Sequence, residues 1–199
     1  MVDFRFSKNV IVMVKAPVAG LVKTRLASSI GSIEAVRFYR SVMSRVVNRV
    51  SRDHRWRTYL AIAPDSYLRE RIFPIGPIRI SQGRGNLGQR MQRLFELPNR
   101  GPTIIIGSDV PDINAAHIAG AFSLLKTNDV VFGPTDDGGF WLVGLKRTLS
   151  VPRIFSNVRW STEHALADTC ENIDQRIGFA AQLSDVDTDI DWYRWRRRR

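Results

Sequence analysis

The stretch Val10-Ile11-Val12-Met13-Val14 holds five apolar residues with no polar interruption. A strand that faces water on one side alternates apolar and polar positions. An unbroken run predicts a strand covered on both faces, as at the centre of a parallel sheet. The rest of the chain fits that demand. Short β-type runs alternate with amphipathic segments, the pattern of a mostly parallel sheet flanked by helices. Further strands are expected at 58–63, 78–81, 103–106, 129–133, 140–145 and 179–183. A helix is expected over 32–52, where Val36, Tyr39, Met43, Val46, Val47 and Val50 recur at helical spacing. Others are expected from Asn86, with Leu87, Met91, Leu94 and Phe95 inward; from a cap at Asp112 to about residue 126; and from a cap at Ser161 to about residue 172. A terminal loop and helix should fill 185–195.

With 199 residues, the chain is sized for one domain, expected over 1–195, followed by a basic tail at 196–199. The longest apolar runs are too short to cross a bilayer or to form a secretory signal. One cysteine, Cys170, excludes an internal disulfide and fits a cytoplasmic location. The net charge of +11 is the unusual quantity. The Arg196–199 run reads first as a solvated end, with nucleic acid or anionic lipid as the sharper alternative. No aromatic interleaving of the kind used by single-strand binders accompanies the other arginines, which disfavours nucleic acid. A phosphate-rich small substrate also suits a basic protein.

Five segments carry chemistry. Lys15-Ala16-Pro17, Gly20, Lys23 and Arg25 follow the first strand, where open α/β sheets bind ligands. Exposed amides with Lys and Arg suit a polyphosphate, although the spacing is not that of a P-loop. The segment 82–91 places Gln82, Gly83, Gly85, Gly88 and Arg90 around a helix start. Gly88 at an early helical position implies tight packing or ligand approach. Gly107-Ser108-Asp109 sets a carboxylate just beyond a buried strand, a place for Mg²⁺ or Mn²⁺. Thr135-Asp136-Asp137-Gly138-Gly139 makes a turn with two acids, more than the turn requires. Asp185, Asp187, Asp189 and Asp191 alternate by two and repel one another unless a cation is near. Trp160 reads equally as a substrate-side aromatic and as core. His54, His117 and His164 have no zinc-ligand spacing.

Taken in order, these pieces resemble a bacterial family of glycosyltransferase-like proteins with the type A glycosyltransferase fold, within the nucleotide-diphospho-sugar transferase superfamily. Some members are assigned to arsenosugar biosynthesis. The resemblance runs from Lys15-Ala16-Pro17 and Lys23-Thr24-Arg25-Leu26, through Gln82-Gly83 to Arg90-Met91, Gly107-Ser108-Asp109, Asp137-Gly138-Gly139-Phe140 and Trp160-Ser161, to Asp185-Val186-Asp187-Thr188. It implies a three-layer Rossmann-like domain with a mostly parallel mixed sheet and a divalent metal. Asp109 stands at the position of the superfamily's metal-binding Asp, and Asp187 is the candidate second ligand. Lys15, Lys23 and Arg25 would meet phosphates, with Ala16, Pro17, Gly20, Gln82, Gly83, Gly88 and Arg90 completing the nucleotide set. Asp137 is the candidate acid/base or substrate ligand, beside Asp136, Gly138, Gly139 and Trp160. Two departures stand out. The usual Asp-x-Asp is Asp109-Val110-Pro111 here. After Asp187-Thr188 the family's Pro-Glu-Asp-Leu becomes Asp189-Ile190-Asp191-Trp192, matching only at Asp191.

The expected activity is metal-dependent transfer of a glycosyl group from a nucleotide sugar to a small acceptor. The rivals are a nucleotidyltransferase that consumes a nucleoside triphosphate and releases pyrophosphate, and a non-enzymatic basic binding protein.

Overall fold

A computed structural model describes residues 8–97, 101–147 and 151–197. Its centre is β1, Asn9–Lys15. Val10, Val12 and Val14 point into one apolar cluster while Ile11 and Met13 join the other. The two-residue period therefore puts apolar groups on both faces, and helices must cover each. The helices α1 (Thr24–Ile30) and α2 (Ser32–Ser51) follow, with β2 at Arg57–Ala63, β3 at Ile78–Ser81, α3 at Leu87–Glu96 and β4 at Thr103–Ile106. Then come α4 (Ala115–Leu124), β5 (Val130–Pro134), β6 (Phe140–Leu145), α5 (Ala165–Glu171), β7 (Ile177–Phe179) and α6 (Asp189–Arg197).

The strands form one sheet in the order β3-β2-β1-β4-β6-β5-β7. β2, β1, β3 and β4 run parallel, β5 and β7 pair in parallel, and β6 is antiparallel to both its neighbours. This is the mixed, Rossmann-like sheet expected. On one face, Phe38, Tyr39, Val42, Met43, Val46, Val47 and Val50 of α2 pack with Ile118 and Phe122 of α4 and with Trp192 and Trp195 of α6. On the other face, Met91, Leu94 and Phe95 of α3 pack with Leu166 and Cys170 of α5. Each such large apolar side chain contributes about 1.5–3 kcal/mol when fully buried. Among the described residues, no helix is long and apolar enough to cross a membrane.

Several boundaries differ from expectation. The helix α1 begins at the end of the segment read as a phosphate loop, taking in Thr24 and Arg25; it buries only Leu26, so it leaves no periodic signature. Asp112 does not cap α4. Val110 and Ile113 are both buried and form a turn, which delays the helix until Asn114 accepts the Ala116 and His117 N–H groups. Ser161 does not cap α5 either: it takes a left-handed backbone, and the helix begins at Ala165. Leu87 is exposed, and the buried position beside it is Gly88. Val36 is only half-buried. The last strand comes earlier than 179–183. Ala180 and Leu183 still donate to Phe132 and Pro134, but the regular ladder is Ile177–Phe179. Arg196 and Arg197 of the basic tail end α6, and the remainder of the tail lies outside the described residues.

Candidate active site

Because β1, β2, β3 and β4 are parallel, their carboxyl ends emerge at one edge of the sheet. That edge carries Lys15-Ala16-Pro17 after β1, Gln82-Gly83 after β3 and Gly107-Ser108-Asp109 after β4. Tyr39 of α2 ties two of these ends together. The Lys15 N–H donates to the Tyr39 hydroxyl at 2.9 Å, that hydroxyl reaches the Lys15 carbonyl at 3.2 Å, and Ser108 Oγ lies 3.3 Å away. Burial pushes the Tyr39 phenol up to about 12, so it stays a neutral fastener.

The chemistry concentrates at one cluster. Lys23 Nζ lies 3.0 Å from Asp109 Oδ2 and 2.5 Å from Asp187 Oδ1. The lysine side chain is 4% exposed, while the two carboxylates are 40% and 41% exposed. Lys23 thus sits beneath, and the acids open outward. Burial works against the Lys23 charge, but Asp109 and Asp187 outweigh it and hold the ammonium above its ordinary range. Crowding likewise opposes the Asp109 charge, and Lys23 prevails to hold that carboxyl low. Asp185 completes the group. Burial, with Asp187 and Asp109 nearby, pushes its carboxyl up to about 7. Oxygens of Asp109, Asp185 and Asp187 all lie within 4.8 Å of one another. An all-carboxylate donor set of this span fits Mg²⁺ or Mn²⁺, hard cations that take oxygen ligands.

The acidic segment is held by what surrounds it. Val186 is buried in the core between Asp185 and Asp187. Asp191 Oδ2 accepts from the Thr188 N–H at 3.0 Å and Oγ1 at 2.7 Å, while Thr188 Oγ1 accepts the Asp191 N–H at 3.3 Å. This reciprocal pair caps α6, with Asp in the place that usually holds Glu. With this cap, Asp187 is held next to Thr188 although the Pro-Glu that precedes the shared Asp is absent here.

The other nominated residues fare differently. Lys15 and Arg25 are exposed at the same edge, Pro17 is half-buried beside them, and Ala16 is buried with its N–H on the Ala63 carbonyl. Gly20 takes a left-handed backbone in open space. Asp137 Oδ1 accepts from Thr135 Oγ1 and from the Gly139 N–H, which closes the turn. Gly138 has φ +80°, and a Cβ there would strike the Glu163 backbone at 2.1 Å, so no other residue fits. Asp136 is bonded to Gln182 and Ser184. The Gln82 amide donates to the Val14 and Ala61 carbonyls, which joins β1 to β2. Gly83 donates to Ser81 and Asp65. Arg90 Nε donates to the Gly85 carbonyl. Gly88 lies against Trp160 and Phe155, and Trp160 packs edge-on to Phe140. Asp185 was read from sequence only as one of four alternating acids and Tyr39 only as a helix-face residue, neither as part of the site. Alternation with Asp187 marked Asp185; nothing local marked Tyr39.

Residues 46–162 match the model of a family described as "Uncharacterized protein conserved in bacteria (DUF2064)". No curated protein matches the chain. Among solved structures, the chain is similar to a Desulfovibrio desulfuricans G20 protein carrying the provisional name nucleotide-diphospho-sugar transferase. The two share 25% identity and a TM-score of 0.89, over 97% of this chain and 87% of that one. A 4-diphosphocytidyl-2C-methyl-D-erythritol synthase from Anaerococcus prevotii DSM 20548 shares the fold at 11% identity and TM-score 0.64, over 98% of this chain and 99% of that one. Rv0371C from Mycobacterium tuberculosis H37Rv, solved in complex with manganese, shares it at 14% identity and TM-score 0.55, over 94% and 97%.

Proposed function

The chain belongs to the bacterial family described as DUF2064, a glycosyltransferase-like family, and on that premise we propose that it is a divalent-metal-dependent transferase acting on a nucleotide-activated donor. The finer reading is glycosyl transfer from a nucleotide sugar to a small-molecule acceptor. One observation carries it: three carboxylates converge with a lysine at the carboxyl edge of a parallel sheet, where nucleotides bind. The match to a protein named as a nucleotide-diphospho-sugar transferase supports the donor class. The manganese complex of a protein with this fold supports the metal.

Asp109 and Asp187, joined by Asp185, would hold Mg²⁺ or Mn²⁺. When bound, the ion supplies positive charge where the diphosphate leaving group gains negative charge. Lys15 and Arg25, exposed on the β1 edge, bind and orient the phosphates. Asp137 keeps Oδ1 in its turn and leaves Oδ2 to take the acceptor's proton. Residues 1–195 act as one domain that carries both donor and acceptor sites.

Nucleotidyl transfer is the second reading. The Anaerococcus synthase and this chain cover each other almost end to end, so this length of chain suffices for that chemistry without an added acceptor domain. The test is thermal unfolding with Mn²⁺ across nucleoside triphosphates, diphosphates and nucleotide sugars. A ligand at a hundred times its Kd adds about 2.7 kcal/mol, a shift of roughly 5–11 °C for a chain of this size. A metal-dependent shift with a nucleotide sugar, followed by nucleoside diphosphate release, is the expected outcome. A shift confined to triphosphates, with pyrophosphate release, transfers the case to nucleotidyl transfer. No shift with any nucleotide removes both readings.

A further inference from the structure

Lys23 makes its two ion pairs with the same carboxylates that are the nominated metal ligands. We propose that Lys23 is a built-in cation of the acidic centre, which competes with the divalent ion for Asp109 and Asp187 and moves to the phosphates when metal and nucleotide enter together. This rests on the metal-site reading given above.

The geometry sets up the competition. A divalent ion bonds carboxylate oxygens at about 2.0–2.6 Å. The Lys23 ammonium already contacts Asp109 Oδ2 at 3.0 Å and Asp187 Oδ1 at 2.5 Å. Ammonium and ion therefore claim one space, bounded by oxygens that lie within 4.8 Å of one another. Two cations cannot share it without strong mutual repulsion. An ion entering alone strips Lys23 of both anionic partners and leaves a nearly buried side chain uncompensated. A phosphate entering with the ion supplies a replacement anion. Metal and polyphosphate consequently strengthen each other's binding, by the same factor in each direction.

The backbone fits a residue with two positions. Lys23 is the N-cap of α1 and takes φ 47°, ψ 44°, a left-handed conformation rarely adopted by a residue with a Cβ. Such conformations persist when the surroundings over-determine them, and they cluster at active sites, ligand clamps and switch regions. The two ion pairs are such surroundings, and both partners are remote in sequence, 86 and 164 positions on. The carboxylates face solvent while Lys23 sits beneath. An arriving ion therefore meets the acids first, with the ammonium behind them.

The experiment measures Mn²⁺ binding to the full chain without nucleotide, from loss of the free-ion paramagnetic resonance signal, for wild type and Lys23→Met. The expected result is affinity about tenfold or more higher in Lys23→Met, within the usual range of coupling between sites. Equal or weaker Mn²⁺ binding by a folded Lys23→Met overturns the competition and leaves the metal site standing. No Mn²⁺ binding by either protein overturns the metal-site reading itself. A wild-type measurement covers failure of the variant to fold. Acylation of Lys23 by an amine reagent, followed by peptide mass, should rise at saturating Mn²⁺. Unchanged acylation at saturation rejects the proposal.

Discussion

Residues 82–90 after β3 and residues 185–188 before α6 are both polar segments at the same edge of the sheet, and they use their polar groups in opposite ways. In the first, Gln82 bonds two strand carbonyls, Arg93 holds the Gln82 and Arg84 carbonyls, and Arg90 holds Gly85. Asn86 and Gln89 form a reciprocal cap on α3. Gly88 brings the helix against Trp160 and Phe155. The donors named here have acceptors inside the protein. In the second, Asp185 and Asp187 converge with Asp109, and a single ammonium, Lys23, pairs with Asp109 and Asp187. Negative charge is left over, and burial together with the neighbouring acids pushes the Asp185 carboxyl up to about 7. The first arrangement serves the scaffold; the second leaves charge that a bound cation would complement.

The sharpest break would come from Asp109→Asn. It should lower metal-dependent turnover by roughly 10²–10³-fold, the usual scale for removing one electrostatic contact to a developing charge. The melting temperature should change little, since Lys23 keeps Asp187. Retained turnover would end the assignment. Gly88→Ala should do the reverse. Its Cβ would meet Trp160 at 2.7 Å and Phe155 at 2.8 Å, an overpacking cost of about 1–3 kcal/mol. Melting should fall while nucleotide affinity per folded molecule holds. A loss of affinity at unchanged melting temperature would move the glycine loop into the site. Gln82→Leu leaves two buried strand carbonyls without their donor. The expected cost is about 1–3 kcal/mol, read by denaturant melts.

The smallest effect concerns pH. Asp185 must lose its proton to bind a metal, and its carboxyl titrates at about 7. Mn²⁺ affinity should therefore rise about tenfold per pH unit up to about 7 and flatten above it. The same shift acts on the metal-free fold with the opposite sign. A carboxyl raised above its ordinary 3.8 favours the folded state fully below that value, and the contribution is lost as pH rises through about 7. Titration of Mn²⁺ between pH 5 and 9 checks the first, and metal-free melts over the same range check the second. A flat affinity profile would remove Asp185 from the ligand set.

Much of the sheet was readable because 103–106 and 140–145 are apolar on both faces, while 78–81 alternates Ile with Arg and Ser; all three carry the same bounds in sequence and structure. The direction of β6 was not readable, since a strand's composition does not record which way it runs. The short helix α1 hid because one buried residue, Leu26, makes no period. At the site, Asp109 was nominated from its strand end and Asp187 from the family resemblance. Their shared contact with Lys23 was beyond local pattern, since it joins positions 86 and 164 residues apart. Gln82, Gly88 and Trp160 were nominated for ligand contact, with packing as the other reading of Gly88 and Trp160; in the structure Gln82 braces β1 and β2, and Gly88 packs against Trp160. A sequence records that a group is polar or small, not whether the protein's own backbone and core already claim it.

The central strand has a further consequence, for the order in which the molecule is made. β1 is covered on its β4 side by a segment 94 positions downstream. Closing so long a loop delays native pairing, and mixed α/β topologies reach the native state more slowly than helical bundles. The Lys23–Asp187 contact spans 164 positions and waits longer still. The acidic edge is therefore assembled late, and on the metal-site reading recovery of metal binding during refolding should lag behind recovery of helical signal.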